Sequence, residues 1–469
     1  MVGEHTRYTA RSMSTPSAPL SSPGLGREIR LIAGQAWPIL VAQLASMGLM
    51  LIDTALLGHF GAEDLAAVAI GGGIYIAVIM GCAGILQAVA PVVAHLQGAG
   101  RPAAIAPALQ QAFWVALALA LPACLLLLFP GPILALTTMT PVVEAKTRAY
   151  LGLLAWGLPL VLLYRTFYAF VNALGHSRPL MLISLVTTSL HLPLSWALIY
   201  GHLGGEPLGV VGTGLSTVAI VVVGFLGGVL YLVNSRALRP LGLFSRLHPP
   251  RWALLREQLH LGLPMGFSNL VEISAFTLIA LFIARQGAEV VAGHRIVASL
   301  AALLYMLPLA VAIATLARVG RGAGARDWAA ARRAAGAGMV LAAVLSLVLG
   351  GLLWLTAEPL VAAYTRDARV AAVALGLIGY LAAYQLFDAI QTLAGFSLRG
   401  CKVTFLPMLI HTVSFWGVGL GGGWWLAYGP PAMGVAGYWA ASTASLVLAA
   451  VLLGGLLWRV LAATRLEKQ

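Results

Sequence analysis

The sequence predicts an all-α polytopic membrane protein, twelve transmembrane helices in two pseudo-symmetric six-helix lobes. Three observations carry this: scarce charge, recurring apolar runs of bilayer length, and a long internal repeat. Of 469 residues, 60% are hydrophobic and 9% charged, too few charges to coat a soluble body of this size. Runs of about 20 apolar residues, each able to cross ~30 Å of hydrocarbon, recur throughout. None shows the period-two alternation of a membrane barrel. In lipid a helix is the open-chain structure that satisfies its own backbone groups.

The apolar segments lie at 31–57, 67–95, 104–129, 147–172, 179–201, 208–234, 253–284, 289–317, 328–355, 369–397, 403–427 and 433–458. Lys and Arg distribute unevenly around them. Twenty-one fall on one side, among them Arg27, Arg101, Arg178, Arg251, Arg326, Arg399, Lys402 and Arg459. Five fall on the other, namely Lys146, Arg148, Arg285, Arg366 and Arg369, and two, Arg165 and Arg295, lie inside segments. The positive-inside rule then puts both termini and the even-numbered loops in the cytoplasm, which an even helix count requires. The protein is expected in a bacterial inner membrane, in contact with lipid, as a monomer.

The net charge of +13 is read as topology setting, and nucleic acid is not an expected partner. Cys82, Cys124 and Cys401 all sit in apolar surroundings and read as packing residues rather than a disulfide framework. Residues 1–26 are rich in Ser, Pro and Gly without an apolar core. They read as a disordered cytoplasmic tail.

The chain repeats itself. The stretch beginning at Ala36 runs without gaps onto "LGLPMGFSNLVEISAFTLIALFIARQGAEVVAGHRI" at an offset of 226, with Pro38 on Pro264 and Gly61-Ala62-Glu63 on Gly287-Ala288-Glu289. Later, "YRTFYAFVNALGHSRP" from Tyr164 matches "YQLFDAIQTLAGFSLRG" from Tyr384. The division is therefore tail 1–26, first lobe 27–235, cytoplasmic linker 236–251 and second lobe 252–469. Both lobes start on the same side, so the repeats are parallel, an arrangement of transporters that rock about a central site.

Of 15 acids, 12 lie in loops, tails or segment ends. Asp53, Glu272 and Asp388 are deep, and none has an acid at its repeat position, where Ile279, Ser46 and Tyr168 stand. A deep carboxylate costs roughly 2.5–3.5 kcal/mol on insertion scales, so each is expected to face a cavity or a partner. Glu272 and Asp388 brought together would make a proton site or a hard-oxygen Na⁺ site, with Tyr305 adding a hydroxyl or ring. The alternative is that the acids bond Arg165 or Arg295 and set helix register. His191, His294 and His411 read as hydrogen-bonded packing residues. Gly71-Gly72-Gly73 and Gly421-Gly422-Gly423 read as close helix contacts or bends. No phosphate loop, catalytic triad or metal spacing is present, so the expectation is no enzyme, no ATP and no cofactor beyond a coupling ion, H⁺ or Na⁺.

"PILVAQLASMGLMLIDTALLGHFGAEDLAAVAIG", "APVVAHLQGAG", "GLPMGFSNLVEISAFTLIALFIARQGAEVVAGHRI" and "YQLFDAIQTLAGFSLRG" resemble the NorM-type branch of the multidrug and toxic compound extrusion (MATE) family. The resemblance implies two six-helix lobes in a V and export of amphipathic, mostly cationic compounds in exchange for Na⁺ or H⁺. It also implies that Glu272, Asp388 and Tyr305 form the cation site, with Asp53 as the first-helix acid of drug or proton binding. The family commonly carries "AAHQ" where this chain has "AGHR", which introduces Arg295. Arg295 is expected, with Asp53, in substrate or proton binding; a guanidinium there that faces Glu272 or Asp388 would satisfy one carboxylate, weaken Na⁺ binding and favour H⁺. A flippase for a lipid-linked precursor is the other reading. It would want a basic cavity, whereas three acids outnumber the two arginines within segments.

Overall fold

The computed structural model describes residues 24–135, 138–430 and 432–463. Most of the expected N-terminal tail lies outside them. Among the described residues twelve helices are long and apolar enough to cross a membrane. They are span 1 (Leu25–Phe60), span 2 (Ala62–Gly98), span 3 (Pro102–Leu128), span 4 (Pro141–Ala173), span 5 (Ser177–Tyr200), span 6 (Val210–Asn234), span 7 (Trp252–Gln286), span 8 (Ala288–Gly324), span 9 (Trp328–Leu355), span 10 (Ala368–Gly400), span 11 (Phe405–Tyr428) and span 12 (Val435–Ala462).

Several spans outrun their apolar segments, for local reasons. Span 1 starts at Leu25 because its polar first turn has a partner: Glu28 is buried and ion-paired with Arg318 of span 8. Span 4 starts at Pro141, where Thr140 caps it by accepting from the Val143 amide at 3.3 Å and proline tolerates the first helical turn. Two spans are irregular. Span 2 is α-helical to Leu86, turns at Gln87 and Ala88 and resumes over Val89–Gly98. Span 11 opens into a π-helical stretch over Val413–Gly422, which closes at the second glycine cluster. Gly71 and Gly423 are indeed close contacts, against Tyr150 and Tyr438, while Gly72 and Gly73 face open space.

Beyond one 3-10 turn at Arg239–Leu241, the linker is fastened to span 3 by side chains. Gln110 donates to the Leu243 and Arg246 carbonyls at 2.7 and 2.8 Å and accepts from the His248 amide at 2.7 Å. Gln111 accepts from the Arg251 amide at 2.8 Å.

The repeat is visible in the contacts. Glu63 pairs with Lys146 at 3.2 Å, and its counterpart Glu289 pairs with Arg369 at 2.7 Å. Gly98 of span 2 and Gly324 of span 8 stand at the same offset of 226. A Cβ on Gly98 would strike the Arg321 carbonyl, and one on Gly324 would strike the His95 carbonyl, the repeat-equivalent residue. The two spans thus cross backbone to backbone, each through the other's glycine, at the side bearing the N-terminus of span 1. Around this crossing one apolar cluster runs through both halves, from Ile32, Ile39 and Val93 to Val311, Leu393 and Phe396. Towards the opposite side each half has its own core, centred on Leu151 and Leu158 in the first and on Leu377 and Leu381 in the second. The halves share one core at that side, meet again where Gly84 of span 2 packs on Gly266 of span 7, and hold separate cores beyond.

Candidate functional site

The second half encloses a cavity of about 350 Å³ beside its own core. Span 7 contributes Glu272 and Phe276, span 8 His294 and Tyr305, span 10 Tyr384 and Asp388, and span 12 Tyr438, Trp439 and Ser442. Glu272, Tyr305 and Asp388, far apart in sequence, therefore face one space. They come from three helices because a cavity between helices takes one or two inward positions from each.

Asp388 is buried, 3% exposed. It accepts a hydrogen bond from Gln391 Nε2 at 3.0 Å, and Gln391 Oε1 in turn lies 3.2 Å from His411 Nε2 in span 11. Gln391 also donates to Thr392 Oγ1 at 3.0 Å. An amide orients this carboxylate without neutralising it. The cavity wall is aromatic: Tyr384 meets Phe276 and Trp439 edge to face, with centroids 6.4 and 5.9 Å apart. Trp439 donates its indole N–H to His294 Nδ1 at 3.2 Å. Indole nitrogen is only a donor, so that imidazole nitrogen is an acceptor and the ring is neutral. Neither Lys nor Arg is among the described residues lining this cavity, and its one imidazole, His294, is engaged by Trp439.

Asp53 does not join that site. It is buried in the first half, 8% exposed, and bonded to His191 Nε2 of span 5 at 2.8 Å. Ser195, one turn further on, lies 3.4 Å from the same carboxylate oxygen and 2.7 Å from Ser216 Oγ of span 6. The two halves hold separate acid networks.

Two expectations need correction. Arg295 faces neither Glu272 nor Asp388: it is exposed on span 8 and absent from the cavity lining. His294 takes the inward direction, and successive helical residues point about 100° apart. The alternative pairing also fails, since among the described residues no acid forms an ion pair with Arg165 or Arg295. The second correction concerns Arg399, read from sequence as a loop residue. It lies in the last turn of span 10 and is buried, 6% exposed.

The sequence reading passed over His191, His411, His294 and Gln391 as site residues. One signal was available. Tyr164 and Tyr384 set an offset of 220 for this part of the repeat, and His411 stands at that offset from His191. Each half thus places a histidine at one equivalent position beside its own acid network.

The MatE family model matches residues 38–197 and again 264–425, once in each half. The chain belongs to the MATE family of multidrug transporters. Among its MATE relatives are a probable multidrug resistance protein NorM from Aromatoleum aromaticum, 53% identical over 95% of this chain and 97% of the relative, and the multidrug resistance protein PmpM from Pseudomonas aeruginosa, 35% identical over 87% and 86%. Two solved structures share the fold: the eukaryotic MATE transporter AtDTX14, with a TM-score of 0.84, 19% identity and 95% and 100% coverage, and the Vibrio cholerae MATE transporter VcmN in its bent form, with a TM-score of 0.82, 18% identity and 94% and 99% coverage. The MATE fold, twelve spans and NorM kinship make this a multi-pass protein of the bacterial inner membrane, and members of the family are transporters rather than enzymes.

Proposed function

We propose that this MATE transporter exports amphipathic, mostly cationic compounds in exchange for H⁺ or Na⁺ by alternating access, with both termini cytoplasmic. The observation that carries the reading is the second-half cavity, where Glu272 and Asp388 face one space walled by aromatic rings and lined by neither Lys nor Arg among the described residues. Two carboxylates that share a poorly hydrated space favour taking up a proton or a cation. Tyr305 and Ser442 add neutral oxygens to them, the donor chemistry of a Na⁺ site. A cavity of this character disfavours a pyrophosphate-bearing cargo, so the flippase reading is set aside. Since Arg295 is outside the cavity, it gives no ground for preferring H⁺ over Na⁺.

Asp53, His191 and Ser195 form a second polar network that we assign to substrate or proton binding in the first half. The test is reconstitution in liposomes, with ethidium efflux driven separately by a pH gradient and by a Na⁺ gradient. Efflux under one gradient, lost in Asp388→Asn, supports the reading. Efflux that needs neither gradient, or that is unchanged in a well-inserted Asp388→Asn protein, refutes it.

A further inference from the structure

Arg399 is a cation inside a membrane-spanning helix with no ion-pair partner among the described residues. Its hydrogen bonds go to neutral amides: Nη1 to Gln87 Oε1 at 3.3 Å and Nη2 to Asn269 Oδ1 at 3.4 Å. The guanidinium also lies over the Phe396 ring, 4.6 Å from its centroid. Amide dipoles and a ring face offset part of the cost of burying a charge, but a buried cation without a counter-charge remains expensive.

Two features give this placement direction. Asn269 is three residues before Glu272 on span 7, so the guanidinium sits about one turn from that carboxylate on the same helix face, close enough for their charges to interact. Gln87 belongs to the other half, at the break in span 2 between Leu86 and Val89. Arg399 thus touches the cation-site helix with one nitrogen and the first half with another. It also follows Asp388 by eleven residues, three turns down one face of span 10. Titratable groups around Arg399 and Glu272 among the described residues include Tyr305 and His294 from span 8, Tyr384 from span 10, His411 from span 11, held by Gln391, His95 at the end of span 2, which contacts the Gly400 carbonyl at 2.8 Å, and beside it the Lys402–Glu257 pair at 2.7 Å.

We infer that Arg399 is a positioning residue that makes the contact between the halves depend on the charge at Glu272. With Glu272 ionised, the guanidinium is balanced in place and holds Gln87. A proton or Na⁺ at Glu272 removes the balance, the buried cation becomes more costly where it is, and the tether to Gln87 loosens next to the Gly98–Gly324 crossing. This deepens the cation-site reading and rests on it.

The test uses the full chain in liposomes, with Cys82, Cys124 and Cys401 replaced and spin labels on cysteines at Ala103 and Ala329, exposed residues on either side of the crossing. Two readouts are taken during Na⁺ titration at pH 8 and during acidification from pH 8 to 5.5. One is the distance between the labels; the other is displacement of bound tetraphenylphosphonium. The expected wild-type result is displacement together with a distance change. Glu272→Gln loses both. Arg399→Gln keeps displacement and loses at least half of the distance change, Arg399→Lys restores part of it, and Gln87→Leu, which leaves the charge in place, behaves as Arg399→Gln does. Gln87→Leu also serves as the test should Arg399→Gln fail to fold.

A wild-type distance change in Arg399→Gln or in Gln87→Leu overturns the tether and leaves the cation site standing. So does a wild type whose labels stay still while the probe is displaced. Loss of displacement in Arg399→Gln, with Gln87→Leu normal, puts Arg399 in the ion site itself and also overturns the tether. A wild type in which neither ion displaces the probe overturns the cation-site reading and the tether with it.

Discussion

Asp388 and Asp53 are both buried carboxylates, yet their partners differ in kind. Asp388 accepts from a neutral amide, so its charge is oriented and left available to a mobile cation. Asp388→Asn keeps the shape and removes the charge. The expected outcome is normal membrane insertion with gradient-driven efflux reduced at least about tenfold, which corresponds to roughly 1.4 kcal/mol; initial efflux rates at matched protein density check it. Asp53 is held by an imidazole that can itself carry the proton. Removing that donor leaves a buried carboxylate short of a partner, a cost of about 1–3 kcal/mol. His191→Leu should therefore lower the unfolding midpoint in detergent, and Asp53→Asn should make the second change much cheaper. A double-mutant cycle should show a coupling of roughly 0.5–3 kcal/mol; additive effects would mean that the 2.8 Å contact carries no energy.

At the scale of the helix, the crossing of spans 2 and 8 is where sequence change should tell most. A Cβ on Gly98 or Gly324 meets backbone of the facing span, and a backbone carbonyl has no rotamer to move away. Gly98→Ala and Gly324→Ala should each destabilise by about 1–3 kcal/mol, by similar amounts because the two contacts are repeat-related. Gly72→Ala, with open space around it, should be neutral or stabilising by roughly 0.5–1 kcal/mol. Thermal unfolding of the three variants decides the matter. The same elements explain how far the sequence could be read. Hydropathy reported each span because lipid imposes a minimum apolar length, and the repeat reported which spans correspond. Neither carries the direction in which one residue of a helix points: Arg295 and His294 are adjacent, and the outward one attracted attention because it broke a familiar motif. Arg399 escaped because it stands one residue inside the end of its span, where hydropathy cannot separate a loop cation from a buried one. The Asp388–Gln391–His411 chain escaped for another reason. It joins spans 10 and 11 through an amide, and amides leave no charge signature in a sequence.

For the whole molecule, the direction in which the weld faces decides which side the acid cavity serves. One apolar cluster closes the side where span 1 begins, and the cavity with its acids lies in the part where the halves have separate cores. The proposed topology, with both termini cytoplasmic, supplies an orientation. The loops on the welded side hold most of the Lys and Arg, including Arg236, Arg239, Arg246 and Arg251 around the linker, and positive loops are retained in the cytoplasm. On the proposed topology the shared core closes the cytoplasmic side and the separate cores face outward, the arrangement in which an exporter releases cargo and meets its coupling ion. Ser245, in the linker, and Gly205, between spans 5 and 6, are both exposed and lie at opposite ends of span 6. In a background without the three native cysteines, a cysteine at Ser245 should react with an impermeant maleimide only after the membrane is opened from the cytoplasmic side. A cysteine at Gly205 should react in intact cells. Labelling of both from one face would overturn the twelve-span order, because an odd number of crossings separates them. Labelling of each from the wrong face would keep the fold and reverse the molecule, turning the sealed side outward and making the acid cavity one that loads from the cytoplasm.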